Sequence, residues 1–152
     1  MLNPCVASIS KIIEGLYITG YKTACNRETL DAHNIRAIIS LGPIEDYCVY
    51  TDLEYMNIPM SDNKAQNIIQ YFDVTREFIN HAKGNVLVHC RAGKSRSVSI
   101  VLAYLISEFD GMTLDKALKY VKSKRRCAGP NSGFVKQLIE YERKIELETK
   151  NV

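Results

Sequence analysis

The sequence contains no long apolar run: nowhere does it approach the roughly 20 consecutive apolar residues of a membrane-spanning helix. Its first residues lack the basic start and the apolar core of a secretory signal peptide. It also has no internal repeat, no low-complexity segment and no linker-like stretch. We therefore expect a cytoplasmic or nuclear protein without an integral membrane segment, folded as a single domain over residues 1–152.

The cysteines and the charge exclude further classes. The five cysteines (Cys5, Cys25, Cys48, Cys90 and Cys127) are odd in number, widely spaced and without a C-x-x-C pair. This pattern argues against a disulfide framework and against a zinc site, so we expect four of them to be reduced, ordinary residues. The net charge of +3 is compatible with anionic partners but is too small for a dedicated nucleic-acid binder.

Apolar residues follow two alternating patterns along the chain. Short apolar runs that end at turn residues predict strands, and apolar residues at helical spacing predict helices. Strands are expected at residues 16–19, 37–41, 54–59 and 85–90, and helices at about 29–33, 65–82, 96–109, from 113 onward and up to about 148. Because strands alternate with helices, the sequence predicts an α/β domain with a mainly parallel central sheet flanked by helices.

The most informative stretch joins the last predicted strand to the helix that follows it. Residues 89–97 read His-Cys-Arg-Ala-Gly-Lys-Ser-Arg-Ser. A thiolate at Cys90 is a strong nucleophile, and Arg96 offers a planar fork of donors that matches phosphate oxygens. The N-terminus of the helix adds free N–H groups and the positive end of a dipole. Residues 90–96, called the Cys90 loop below, are therefore predicted to hold a phosphate and to attack it.

The context of the Cys90 loop separates it from a chance Cys-x5-Arg. The loop lies at the carboxyl edge of the predicted sheet, where α/β proteins bind ligands. Gly93 permits the unusual dihedral angles that a ring of inward-pointing N–H groups needs, and Ser95 and Ser97 add hydroxyl donors. The loop is not a nucleotide-binding P-loop, because Val88 stands where G-x-x-x-x-G-K-[ST] needs its first glycine.

Residues 89–97 resemble the H-C-x5-R-[ST] signature of the protein tyrosine phosphatase superfamily. The tail at 128–138 resembles that of the small atypical dual-specificity phosphatases; it reads Ala-Gly-Pro-Asn-Ser-Gly-Phe-Val-Lys-Gln-Leu. The resemblance extends from about residue 12 to about residue 147. It implies the fold of that family and hydrolysis of phosphate monoesters on phosphotyrosine, phosphoserine and phosphothreonine of proteins, through a phosphocysteine intermediate. No cofactor and no metal are implied, since the loop and Arg96 supply the positive charge.

The reaction also needs a general acid, because a phosphate ester leaves slowly as a free alkoxide. Asp62 follows the strand predicted at 54–59, so its loop should lie at the same sheet edge as Cys90. The family carries its acid in an I-P-x-x-D context, which residues 58–62, Ile-Pro-Met-Ser-Asp, match. The alternative is that Asp62 only caps the helix that follows it.

The resemblance implies roles for further residues. Ser97 stabilises the Cys90 thiolate as a leaving group, Asn131 steadies the loop, and Arg126 binds a second phosphate or an acidic flank of the substrate. The alternatives are that Ser97 is only a hydroxyl at the start of a helix, that Asn131 is a helix N-cap, and that Arg126 belongs to a solvated basic face. His89 is expected to orient the loop backbone rather than to transfer protons. The phosphate-binding set is Arg91, Ala92, Gly93, Lys94, Ser95 and Arg96.

The sequence leaves two substrate classes open, phosphorylated proteins and phosphoinositides. The chain is too short for the extra loop that deepens the pocket of strictly tyrosine-specific phosphatases, and we expect a phosphorylated protein, such as a kinase or another signalling protein. Arg91 and Lys94 make the loop similar to the C-K-A-G-K-G-R of phosphoinositide phosphatases, although Ser95 replaces its second glycine. A non-catalytic phosphate-binding module would lack Cys90, Arg96 or Asp62, and a rhodanese-like sulfurtransferase needs no such acid.

Overall fold

A computed structural model describes residues 3–151 and has a five-stranded sheet in the order β1-β2-β5-β3-β4. β1 pairs with β2 in antiparallel fashion, and the other three pairings are parallel. The predicted α/β class with a mainly parallel sheet is therefore confirmed. The strands are β1 (Ser10–Ile13), β2 (Leu16–Gly20), β3 (Ile35–Leu41), β4 (Glu54–Ile58) and β5 (Asn85–Cys90).

Helices cover both faces of the sheet's parallel part, as crossover connections between parallel strands require. Two 3-10 turns, at Ile44–Asp46 and Ile69–Tyr71, lie in the segments that follow β3 and β4. Within residues 3–151 the α-helices are α1 (Pro4–Ala7), α2 (Tyr21–Ala24), α3 (Arg27–Ala32), α4 (Phe72–His81), α5 (Arg96–Glu108), α6 (Leu114–Lys124) and α7 (Ser132–Lys150). None of these helices is long and apolar enough to cross a membrane.

Strand β5 and helix α5 form the centre of the molecule. β5 lies between β2 and β3, and its residues 86–90 are all buried. α5 has ten buried residues and contacts α4, α6 and α7 as well as β5. A helix that is apolar on nearly every side is stable only when it is enclosed in this way. The packing fixes the N-terminus of α5 close to the end of β5.

The parallel strands bring several loops to one edge of the sheet. Because β2, β3, β4 and β5 run in the same direction, their last residues, Gly20, Leu41, Ile58 and Cys90, lie at the same edge. The segments that follow these strands meet around Cys90. This is the edge at which open α/β sheets bind ligands.

The helix predicted over 65–82 is wrong in its first half, because α4 begins only at Phe72. Polar side chains bind the preceding backbone instead: Asn63 Oδ1 accepts from the N–H of Ala65, and Asn67 Oδ1 accepts from the N–H of Gln70. Asparagine offers the backbone such local turns in place of a helix. The segment therefore stays a loop at the sheet edge.

The expectation that four cysteines are reduced is also wrong. Disulfide bonds join Cys5 to Cys127 and Cys25 to Cys48, and Cys90 is the free, buried cysteine. The first pair is 122 residues apart in sequence. It is brought together by α1, a helix of four residues that is too short to leave a periodic pattern. Spacing along the chain carries no information about such a contact.

Candidate active site

The site is built on the junction between β5 and α5. Cys90 is the last residue of β5 and is 2% exposed. Ser97, in the first turn of α5, places its Oγ 3.2 Å from the Sγ of Cys90. The sulfur atom therefore lies at the N-terminus of a buried helix, with a hydroxyl group in contact.

The carbonyl groups of residues 91–95 all accept hydrogen bonds from donors outside the loop. No peptide bond within residues 3–151 is cis, and a planar trans peptide points its N–H away from its C=O. The N–H groups of residues 92–96 are therefore turned to the opposite side, where they form a ring of donors for an anion. The carbonyls of Arg91, Lys94 and Ser95 accept from the N–H groups of Tyr21, Gly129 and Ser99, and those of Ala92 and Gly93 accept from Arg125.

Arg125 is a residue that sequence reasoning missed. It is 1% exposed, and it donates from Nε to Gly93 O at 2.7 Å and from Nη2 to Ala92 O at 3.3 Å. Its Nη1 donates to Ser8 O and to the hydroxyl of Ser10. Burial lowers the pKa of this guanidinium. No sequence signal separates Arg125 from its neighbours in a basic run, because the difference is one of burial.

Gly93 occupies a position that only glycine fits. Its φ is +66°, and a Cβ there would lie 2.6 Å from Arg125 Nη2 and 2.7 Å from Thr19 O. The unusual dihedral angle predicted for Gly93 is therefore present. Arg126, in contrast, is exposed and lines a separate groove with Lys124 and Cys127, so the structure does not bring it to the pocket of Cys90.

Arg96 is 8% exposed and is oriented by Met60, whose carbonyl accepts from Nη1 at 3.0 Å. Its Nε is buried and has no hydrogen-bond partner among residues 3–151. A buried donor without a partner is unfavourable by about 1–3 kcal/mol. An oxygen atom of a bound phosphate would satisfy it, because a guanidinium offers Nε and a second nitrogen in one plane.

Asp62 lines the same pocket as the Cys90 loop and is exposed. Its Oδ1 accepts from Nδ2 of Asn131 at 2.9 Å. Asn131 also donates its backbone N–H to Ser95 Oγ and accepts from the N–H of Phe134, which caps α7. One asparagine thus joins the acid, the Cys90 loop and α7. Asp62 caps no helix, since the N-cap of α4 is Tyr71.

The loop that carries Asp62 (residues 59–68, the Asp62 loop) is anchored on α7. Gln137 Oε1 accepts from the N–H groups of Ile68 and Ile69, and its Nε2 donates to Gln66 O. At Gly133 a Cβ would collide with the backbone of Lys64. Both α7 residues belong to the tail pattern in the sequence, which therefore marks the support of this loop.

His89 lies beneath the loop and joins β5 to β3. Burial lowers the pKa of His89 to about 4, so its ring is neutral at physiological pH. Its Nδ1 lies 3.3 Å from Cys90 O and its Nε2 lies 2.7 Å from Ser40 Oγ. Because a carbonyl only accepts, Nδ1 carries the proton and Nε2 accepts from the Ser40 hydroxyl. The ring thus contacts the backbone carbonyl of Cys90 on one side and Ser40 of β3 on the other.

Asp46 is a second residue that the sequence did not single out. It follows β3 in a 3-10 turn and is 2% exposed. Its Oδ1 accepts from Nη1 of Arg91 at 3.2 Å, and its Oδ2 has no partner in the described part of the chain. A buried carboxylate therefore fixes the side chain of Arg91 in the Cys90 loop.

These residues surround a pocket of about 370 Å³. It brings together the predicted nucleophile, acid and phosphate-binding residues, with Gly93 placed behind the pocket wall. Within residues 3–151, no group of three or more His, Cys, Asp or Glu side chains is arranged to hold a metal ion. The lining residues are Asp62, Cys90, Arg91, Ala92, Lys94, Ser95, Arg96, Gly129 and Asn131.

The chain is similar in sequence to known phosphatases. A dual specificity protein phosphatase 1 of Arabidopsis thaliana is 40% identical over 141 residues, which are 91% of this chain and 71% of that protein. A human dual specificity protein phosphatase 18 is 35% identical over 143 residues, 92% of this chain and 76% of that protein. The chain spans only 30% of a rhodanese domain-containing relative of Dictyostelium discoideum, at 41% identity.

A solved structure has the same fold. The human tyrosine phosphatase-like serine/threonine/tyrosine-interacting protein superposes with a TM-score of 0.83 at 36% identity, covering 90% of this chain and 96% of that chain. Residues 16–144 match the family model of the dual specificity phosphatase catalytic domain. The chain therefore belongs to the dual specificity phosphatase family.

Proposed function

We propose that this chain hydrolyses phosphate monoesters on tyrosine and on serine or threonine side chains of proteins, with Cys90 as the nucleophile. The observation that carries the proposal is the outward bonding of all five carbonyls of residues 91–95. It turns the N–H groups of residues 92–96 towards the place where a phosphate would meet the Cys90 sulfur. Family membership supports the same chemistry.

In the first step the Cys90 thiolate attacks phosphorus in line, and the bond from phosphorus to the substrate oxygen breaks. The ring of N–H groups and Arg96 hold the three equatorial oxygens, on which charge is spread in the transition state. Asp62 gives its proton to the departing oxygen. The bond from Asn131 to Oδ1 leaves Oδ2 of Asp62 to carry that proton.

In the second step water attacks the phosphocysteine. Asp62, now a carboxylate, accepts a proton from that water, and the bond from phosphorus to sulfur breaks. The departing thiolate accepts a hydrogen bond from Ser97 Oγ, which lies 3.2 Å from Sγ before the reaction. Phosphate leaves, and the enzyme returns with a thiolate at Cys90 and a proton on Asp62.

A phosphoinositide is the second candidate substrate, since the cations Arg91 and Lys94 both line the pocket. The pairing of Arg91 with a buried carboxylate weighs against it, because this partly neutralises one of the two charges. Phosphorylated protein is therefore the substrate class that we favour.

The test compares substrates side by side. Phosphate release is measured from a phosphotyrosyl peptide, a phosphothreonyl peptide and a short-chain phosphoinositide, with the Cys90→Ser variant as the blank. We expect turnover of both peptides at higher kcat/KM than the lipid, and none by Cys90→Ser, which still binds phosphopeptide. Turnover by Cys90→Ser would overturn the assignment of the nucleophile, and a higher kcat/KM on the lipid would overturn the substrate class.

A further inference from the structure

A second cleft, of about 310 Å³, lies beside the catalytic pocket. Its walls come from α1, from the start of α2 and from the segment leading into α3. Arg91 lines both this cleft and the catalytic pocket. The two cavities therefore meet at one side chain, and we call the second one the side cleft.

Arg91 is held at this junction from two sides. The buried carboxylate of Asp46 accepts from Nη1, and the ring centroid of Tyr21 lies 5.0 Å from the guanidinium carbon. The Arg91 side chain is nevertheless 62% exposed. The buried Asp46 carboxylate fixes the position of the Arg91 guanidinium. Because Asp46 uses only one of its nitrogens, the remaining N–H donors are free to bind a partner.

The charge of the side cleft has one sign. Lys22 and Arg91 are its ionisable cations, and no aspartate or glutamate is among its lining residues within the described chain. Thr23 and Asn26 are occupied with the protein's own backbone: the Thr23 hydroxyl donates to Ala7 O, and Asn26 caps α3. The groups left to meet a ligand are thus mainly Lys22 and Arg91. Because Asp46 offsets part of the charge of Arg91, the pair suits one anionic side chain and not a polyphosphate.

We propose that the side cleft binds an anionic side chain of the substrate that lies close to the phosphorylated residue. The inference rests on the proposed function and adds a preference to it. An extended peptide advances about 3.3–3.6 Å per residue, so a side chain one to three positions away reaches a cleft that begins at the pocket rim. The substrate flank is then read by Arg91 and Lys22, and not by Arg126, which lines another groove.

The experiment uses phosphotyrosyl peptides that differ in one residue. A glutamate replaces alanine in turn at each position from three before to three after the phosphotyrosine, and kcat/KM is measured for each peptide. We expect glutamate at one or two positions to raise kcat/KM about 3-fold to 5-fold, as for an exposed ion pair, and high salt to reduce the gain. A non-hydrolysable phosphonate of phosphoserine at the best position distinguishes a carboxylate from a second phosphate as the preferred anion.

The charge-reversal variant Lys22→Glu tests the location. It should lower the ratio of kcat/KM for the glutamate peptide to that for the alanine peptide to below one, and a lysine at the same position should restore fast turnover. Lys83→Glu is the matched control, because Lys83 is exposed and lies just before β5, at the opposite edge of the sheet from Cys90. It should keep the wild-type ratio.

The outcomes separate the two proposals. If no peptide is turned over, the proposed function fails. If the alanine peptide is turned over but every ratio is one, or if Lys22→Glu and Lys83→Glu keep the same ratio, the side cleft is not a subsite and the function stands. A preference for lysine in the wild-type enzyme would overturn the inference as well.

Discussion

The catalytic pocket has two sides that are supported by different means. On the α7 side, Asp62 is held by amide hydrogen bonds, from Asn131 directly and from Gln137 through the Asp62 loop. On the α1–α2 side, Arg91 is held by a buried carboxylate and an aromatic ring. Disulfide bonds also anchor the elements on that side, since Cys5 lies in α1 and Cys48 lies two residues after Asp46.

The two sides differ in function as well as in support: the α7 side serves the chemical step, and the α1–α2 side serves the selection of the substrate. The amide-bonded side carries the residue that handles protons, and its supports belong to the sequence pattern shared with the family. The α1–α2 side would contact a bound phosphate only through the Cys90 loop. Its supports, Asp46 and Tyr21, are outside that pattern. We infer that mutations on the α7 side act mainly on kcat, whereas mutations on the α1–α2 side act mainly on stability and on the choice of substrate.

The largest effect is expected on the α7 side. Asp62→Asn should lower kcat about 10²–10⁴-fold, because the leaving oxygen then departs without a proton. Asp115→Asn, an exposed carboxylate on α6, is the control and should keep the wild-type rate. If Asp62→Asn keeps the wild-type kcat, the acid is another residue and the α7 side loses its role.

On the other side, opening the Cys5–Cys127 bond should act on stability. Cys5→Ser is expected to lower the free energy of unfolding by about 2–4 kcal/mol, as measured in urea, because the bond closes a long loop. Without reductant, wild-type protein unfolded in urea should take up one alkylating label, at Cys90.

The same labelling also tests the compartment. Disulfide bonds persist in oxidising surroundings, whereas the sequence predicts cytoplasm or nucleus, where thiols stay reduced. Protein alkylated directly in its cells should carry one label if the bonds are closed. Five labels would show that the α1–α2 side is held without them.

His89 lies below the Cys90 loop, on neither side of the pocket, and it makes the free energy of unfolding depend on pH. Its pKa of about 4 in the folded state is below the ordinary histidine value of 6.5, so the unfolded chain binds its proton first as the pH falls. The resulting stability is fully present above about pH 6.5 and is lost between pH 6.5 and 4, by about 3 kcal/mol. Urea unfolding of His89→Gln should show a flatter pH dependence in this window; an unchanged slope would mean that other groups dominate.

The smallest effect is expected from the anchor of the Asp62 loop. Gln137→Ala leaves two backbone N–H groups without their acceptor and should lower the free energy of unfolding by about 2 kcal/mol. The loop also loses its fixed position, so kcat should fall more than KM changes. Lys136→Ala, at the exposed neighbouring position, should change neither. An unchanged kcat in Gln137→Ala would show that Asn131 alone positions the acid.

The sequence predicts the α7 side of the site better than the other side, for a physical reason. The strand, loop and helix around Cys90 form one continuous segment, in which apolar runs mark the two elements and the polar residues between them mark the loop. Asp62 can be predicted too, because the carboxyl ends of parallel strands meet at one edge. Both inferences need only local pattern and sheet direction.

Burial and long-range contacts were beyond such reasoning. Arg125 and Arg126 are adjacent and identical in type, and only the packing of α6 decides that the first enters the interior. Asp46 looks like an ordinary turn residue until the fold brings Arg91 to it. The two disulfide bonds depend on which loops meet in space, and the short helices that bring them together have no periodicity.

In the proposed mechanism Cys90 carries the phosphoryl group during turnover. The most direct measurement is rapid quenching of the enzyme with a phosphotyrosyl peptide, followed by mass spectrometry of the cysteine-containing fragments. We expect one added phosphoryl group on the fragment with Cys90, and none on the Cys90→Ser variant. Turnover without a phosphorylated Cys90, or a phosphoryl group on another residue, would contradict it.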